Sequence, residues 1–240
     1  MKKRRYFKLF IFIAAALAVI LFLNMPVSSL QGINYEVRAL KMPLYIKIME
    51  FFDRDYQYRQ IVKGLTYKLD SDEKKVLAMF VWTRKNIRRI PEGFPVVDDH
   101  VLNIIIRGYG AGDQCADVFA TLCNYAGYRA RFTTLTAEGR RAKVCLAFVR
   151  IKKRWYVFDA YNGVYFRNKS GALAATEDLL AGDWIVRPPG QIDIDYAIYF
   201  NNRNLSVMDK LARSNIQSPL RRLLYQLKNA FSRPCQRTDK

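Results

Sequence analysis

A chain of 240 residues carrying 40 Lys and Arg against 21 Asp and Glu has a formal net charge of +19, yet it is 51% hydrophobic. That apolar content speaks for a packed core and against wholesale disorder. Four cysteines with no CxxC pair, beside a single histidine, give no structural zinc spacing. The basic excess favours anionic partners such as phospholipid headgroups, acidic glycans or nucleic acid.

The N-terminus sets the address. Lys2, Lys3, Arg4, Arg5 and Lys8 flank an unbroken apolar run from Leu9 to Leu23. A signal anchor would keep this run as one transmembrane helix. A cleaved signal peptide would use the small residues Val27-Ser28-Ser29. The run is long for a signal peptide, which favours the anchor. In both cases the basic flank stays cytoplasmic and the rest lies outside the membrane.

Residues 35–58 read as helical with a break near Pro43 and carry Leu44, Ile46, Ile48, Met49, Phe51 and Phe52. Packing on the domain is expected of these apolar residues, with the bilayer surface as the alternative. Leu69-Asp70-Ser71-Asp72-Glu73 is a helix start, with a polar cap and acids in the first turn. The helix it opens runs to about Arg89 and lines up Val76, Met79, Phe80, Thr83 and Ile87. Pro91 and Pro95 impose a loop, and Val101 to Arg107 reads as a short apolar helix. His100, the sole histidine, sits in that loop beside two aspartates and is expected to be a surface or capping residue.

A glycine-rich turn, Gly108-Tyr109-Gly110, then runs into an apolar helix that stops at Gly127. Arg129 to Leu135 reads as a strand, and Lys143 to Ile151 with Arg154 to Asp159 as a hairpin rich in Val, Phe, Trp and Tyr. Asn162-Gly163 signals a turn, Val164 to Phe166 a further strand, and Thr176 to Leu180 a short helix. Residues 187–190 form a loop, and residues 192–200 an edge strand or docking segment. Ser218 and Pro219 start a basic amphipathic helix whose apolar face is Leu220, Leu223, Leu224, Leu227 and Phe231. Four domains follow: 1–29 as flank and anchor, 30–69 as a helical connector, 70–200 as the folded domain, and 201–240 as basic helix and tail.

Helix, strand, then a hairpin ending Trp-Tyr-Val-Phe-Asp resembles the transglutaminase-like domain of the papain-like superfamily, over residues 70–165. Gly-Tyr-Gly, the helix end Tyr-Ala-Gly-Tyr-Arg-Ala-Arg and Trp155 to Asp159 carry the resemblance. It implies an α+β fold, a helix packed on an antiparallel sheet, with the transmembrane and amphipathic helices at the two ends. It also implies a Cys-His-Asp triad, in which a thiolate at a helix start is served by an imidazole that the carboxylate orients. Counted back from Gly127, the nucleophile position falls on Gly112; counted back from Trp155, the histidine position falls on Val144; the carboxylate is Asp159. Cys115, one turn along the helix, is the displaced nucleophile candidate. Cys123 and Cys145 read as packing residues, with Cys145 on the opposite sheet face from Val144, and Cys235 lies in a polar tail.

The resemblance therefore implies a membrane-anchored protein of the bacterial envelope that has lost its chemistry. It would bind or scaffold, with no cofactor and no metal, in polysaccharide assembly or export. Its partners would be the membrane and an acidic glycan, lipid headgroup or protein, and an exported domain would not meet nucleic acid. The alternative is an active thiol acyl-transferase or peptidase using Cys115 and Asp159.

Overall fold

The computed structural model describes residues 2–33, 36–96, 100–137, 141–188 and 194–205. The chain divides into two compact units, the first reaching from the N-terminus through Arg54 and the second running from Asp55 onward.

The first unit opens with α1 (Lys2–Leu23), within which Arg4–Leu23 holds an 18-residue window of mean hydropathy 2.6 with nothing buried. By length and composition this helix is able to cross a membrane. β1 (Pro26–Ile33) and β2 (Glu36–Pro43) pair as an antiparallel hairpin in a register running from Pro26↔Pro43 to Ile33↔Glu36. Residues 36–43, expected as helix, are therefore a strand. Its Val37 suits a strand, and Pro43, which has no N–H to give a ladder, falls at the strand's end, where a helix can begin. Helix α2 (Leu44–Thr66) follows at once, and the Leu44 N–H donates to the Met25 carbonyl at 3.0 Å.

In the second unit the last turns of α2 bury Tyr58 and Val62. Helix α3 (Asp72–Asn86) starts where the sequence places it, with the Ser71 hydroxyl accepting from the Lys74 N–H at 3.2 Å. It ends at Asn86, because Ile87 turns extended (φ −111°, ψ 103°) and leads into β3 (Arg88–Arg89). α4 (Val101–Arg107) and β4 (Tyr109–Gly110) lead to α5 (Gly112–Tyr125), and then comes β5 (Arg129–Thr136). β6 (Lys143–Ile151), β7 (Arg154–Asp159), β8 (Val164–Arg167) and β9 (Ile185–Arg187) complete a five-stranded antiparallel sheet ordered β5-β6-β7-β8-β9. α6 (Thr176–Leu180) precedes β9, and α7 (Asn202–Leu205) ends the described chain.

α5 is buried from Gln114 to Asn124 apart from half-buried Asp117, and it packs on one face of the sheet. Phe80 of α3, Phe119 of α5 and Phe158 of β7 meet there with ring centroids 5.0–5.6 Å apart. The opposite sheet face carries a second core around Phe148, Trp155, Phe166 and Tyr196. The segment expected as an edge strand or docking piece covers this second core as a 3₁₀ turn (Tyr196–Tyr199), with residues 191–193 outside the described set. Leu220 to Phe231, expected as an amphipathic helix, and Cys235 also lie outside the described residues.

Candidate functional site

The turn ahead of α5 fixes where that helix starts. Gly108 closes α4 at φ 74°, a left-handed conformation that only glycine adopts cheaply. β4 then pairs parallel with β3, Arg88 opposite Tyr109 and Arg89 opposite Gly110. Gly110 lies so close to the helix that a Cβ there would sit 3.0 Å from the Gln114 Cβ. Ala111 is extended (φ −76°, ψ 174°) and has no capping side chain, so Gln114 Oε1 reaches back to accept its N–H at 3.1 Å. Gly112 is the first helical residue, in the place where the resemblance expects the nucleophile.

What surrounds Gly112 defines the site. A Cβ added there would lie 3.9 Å from the Cys145 Cβ and 3.8–4.0 Å from Cγ and Cβ of Tyr161, in ordinary van der Waals contact. Space and backbone thus both admit a side chain at 112. The neighbour on the sheet is Cys145, not Val144. Val144 is buried in the second core, on the sheet face turned away from α5, whereas Cys145 packs against the core that α5 shares. Val144, the residue counted from Trp155, therefore faces away from Gly112, and Cys145 faces it. Trp155 itself belongs to the far face, and it pairs with Arg150 across a hairpin that closes in two residues, Lys152 and Lys153. Across so short a turn, a step of 11 residues returns to the face of Trp155, and only the neighbouring residue faces the helix.

Asp159 ends β7, as the triad pattern asks, and is 0% exposed. Its carboxylate is held by three donors: the Asn162 N–H at 2.9 Å, the Asn162 Nδ2 at 2.7 Å and the Tyr196 hydroxyl at 2.7 Å. Asn162 Oδ1 in turn accepts from Arg89 Nη2 at 2.6 Å, and that guanidinium lies 5.0 Å from the centre of the Tyr161 ring. The buried carboxylate and its proximity push the Tyr196 hydroxyl pKa up, with desolvation the largest cause. Arg84 crosses over Gly163, whose φ of 72° favours glycine. Asn162, Tyr161, Tyr196 and Arg89 are functional-site neighbours that the motif count alone does not name; the Asn-Gly turn was the one local signal.

Cys115 does not look into this space. It is 1% exposed in the core beneath α5, and its thiol points to the Gly110 carbonyl, Sγ to O 3.8 Å. Burial pushes its pKa up to about 12, with Asp159 adding to the rise and Arg84 opposing it. Cys123 is fully buried and likewise raised by desolvation. Cys145 is half-buried and raised by burial to about 12, against a hydrogen bond from the Thr134 side chain. All three thiols are free. A low-pKa nucleophile needs the opposite environment, cationic and partly open.

His100 occupies the N-cap position of α4 (φ −72°, ψ 148°), and its side chain makes no capping bond. Among the described residues no three His, Cys, Asp or Glu side chains gather as a metal ion would require. A cavity of about 480 Å³ opens elsewhere, at the start of α3, between Asp70, Asp72 and Glu73 and, from the sheet side, Lys152 and Arg154. None of Gly112, Cys115, Val144 and Asp159 lines it.

Solved structures similar to this chain include a proposed cysteine protease from Cytophaga hutchinsonii, 18% identical, with a TM-score of 0.41 over 62% of this chain and 56% of that one. A proposed protease from Parabacteroides distasonis is 15% identical, with a TM-score of 0.36 over 45% of this chain and 25% of that one. A TGase is 14% identical, with a TM-score of 0.37 over 55% and 43%. The chain thus spans a quarter to little over half of these relatives. No curated protein matches it. The family model for the transglutaminase-like superfamily matches residues 59–160, from the last turns of α2 to the residue after Asp159. This segment, a central helix on an antiparallel sheet, has the transglutaminase-like fold.

Proposed function

We propose that the protein is a membrane-held, noncatalytic binding module of the transglutaminase-like type, acting at the cell envelope. One observation carries the reading. At the start of α5 a glycine stands where the nucleophile belongs, and its sheet neighbour is Cys145, a thiol in place of an imidazole. Glycine offers no nucleophile, and a thiol held near pKa 12 by burial neither takes a proton at neutral pH nor returns one to a leaving group. Asp159, which would orient the imidazole, spends its carboxylate on Asn162 and Tyr196. The active-thiol alternative places its nucleophile at Cys115, which is sealed in the core with a raised pKa.

In this reading α1 crosses the membrane once, with the basic flank in the cytoplasm and the domain outside. The exposed Arg84 and Arg89 stand beside the lost active site, Arg84 over Gly163 and Arg89 on Asn162 and the Tyr161 ring. They give it the charge to hold an acidic chain, and we assign it an acidic glycan segment of a polysaccharide under assembly or export.

The test uses the full chain in lipid nanodiscs with polygalacturonate as probe. Binding that weakens about tenfold in Arg84→Glu/Arg89→Glu, and falls with salt, supports the module. Amidase or amine-transfer activity lost in Cys115→Ala, together with fast thiolate-selective labelling of Cys115 at neutral pH, overturns it. Equal binding by the charge-reversed variant overturns the assignment of the site.

A further inference from the structure

We propose that the first two turns of α2 are a lipid-contact surface, lying in the outer interface of the bilayer where α1 emerges. The inference rests on the anchor reading of α1 and goes beyond it.

Tyr45, Ile48, Met49 and Phe52 are spaced i, i+3, i+4 and i+7, so they form one stripe along the helix. All four are exposed, Met49 to 66% and Phe52 to 55%. Lys47, Glu50 and Arg54 occupy the other side of the helix and are half-buried. The amphipathic pattern is thus turned outside in relative to a water-facing helix, with the apolar stripe outward and the charged side more covered. That orientation suits a surrounding that is apolar.

Two contacts say which surrounding. α1 ends at Leu23, and Asn24 closes it, its Nδ2 donating to the Ile20 carbonyl at 2.8 Å. One residue on, the Met25 carbonyl accepts the Leu44 N–H at 3.0 Å, and Pro26 pairs with Pro43. The hairpin therefore carries the chain out and back, and α2 begins within one hydrogen bond of the point where α1 ends. From Tyr45 to Phe52 the helix is about 10 Å long. The headgroup layer on one side of a bilayer is roughly 5–8 Å thick. A stripe that starts at the exit of α1 and runs so short a distance stays at the depth of that layer or close to it. Tyrosine at its start and phenylalanine on its face are residue types found at that depth.

The experiment places an environment-sensitive fluorophore on single cysteines at 17, 47, 49 or 52, in the full chain with Cys145→Ser and Cys235→Ser. The protein is reconstituted in phosphatidylcholine vesicles containing lipids with a nitroxide at a shallow or a deep acyl position. Labels at 49 and 52 are expected to be quenched by the shallow nitroxide at least about twofold more than the label at 47. The label at 17 is expected to be quenched by the deep one. Quenching at 17 without preference for 49 and 52 over 47 overturns the proposal and leaves the anchor standing. Protection of 49 and 52 through self-association, with no lipid quenching, also overturns it. Absence of quenching at 17 overturns the anchor and the proposal with it. Should Phe52→Cys fail to fold, Tyr45→Cys replaces it on the same stripe.

Discussion

Asp159, fully buried at the end of β7, works as a structural hub. Its three donors tie the end of β7 to the turn at Asn162 and to Tyr196 on the far side of the sheet. Removing a fully buried acceptor leaves Tyr196 and Asn162 without partners, and each orphaned group costs about 1–3 kcal/mol. Asp159→Ala is therefore expected to lose about 2–4 kcal/mol in urea unfolding of the detergent-solubilised chain, with Asp159→Asn losing less. An unchanged midpoint would contradict the hub role. Gly112 permits a test of adjacency. Its Cβ position lies 3.9 Å from the Cys145 Cβ, inside the range of disulfides. Gly112→Cys should form a 112–145 disulfide on mild oxidation, visible in a nonreducing peptide map, whereas a variant at Asp113 should not. The buried thiols also set an alkaline limit. Cys115 and Cys145 titrate near 12 in the folded chain and near 9 when unfolded. Between those values the unfolded chain has shed the protons that the folded chain keeps, so stability falls as pH rises from 9 to 12. The slope is about 1.4 kcal/mol per pH unit for each thiol. A flat denaturation midpoint over that window would contradict the burial of both.

Elements were the scale at which the sequence was most legible. The Ser71 cap, the apolar helix from Gly112, and the hairpin Lys143–Ile151 with Arg154–Asp159 follow from cap chemistry and from periods of 3.6 and 2, and they stand where those signals put them. The hairpin Pro26–Pro43 was not legible as strand, because its residues are mixed and its pairing depends on a partner 3 to 17 positions away, which no local signal records. At the site the count from Trp155 gave the right strand and the wrong face, since a parity error of one residue turns a side chain through the sheet. The alternation of β6 alone could have caught it, because Val144, Leu146 and Phe148 share the far face with Trp155. The closure of α5 was also hidden from sequence. Asn124 donates to the Ala120 and Ala130 carbonyls at 2.9 and 3.0 Å and accepts the Ala130 N–H at 3.1 Å, stapling the helix end to β5. Asn124→Ala removes three buried bonds, two of them to β5, whereas Ser71→Ala removes one exposed cap bond. The first is expected to cost about 2–3 kcal/mol and the second about 1 kcal/mol. Equal losses in the two unfolding curves would mean that the staple is not what holds α5 to the sheet.

At the scale of the whole chain, the question is whether α1 stays. The residues that a signal peptidase would read, Val27-Ser28-Ser29, lie in β1 and pair with Met42, Lys41 and Leu40 of β2. A peptidase binds its substrate extended and unpaired, so the hairpin competes with cleavage. Cutting there would also separate β1 from the helix whose end is tied to α2 through Met25 and Leu44. Five cations ahead of Leu9 favour a cytoplasmic N-terminus, and the helix Arg4–Leu23 is long and apolar enough to span a bilayer. The protein is therefore expected to resist alkaline carbonate extraction from membranes, and its tryptic map is expected to contain Leu9–Arg38 as one peptide. Ile13→Arg/Leu17→Arg places two charges in the middle of the window. The translocon-scale cost is about 2.5–3.5 kcal/mol for each, which should move most of the chain into the soluble fraction or leave it uninserted. A mature N-terminus at Leu30, with the domain released from the membrane, would instead make α1 a signal peptide.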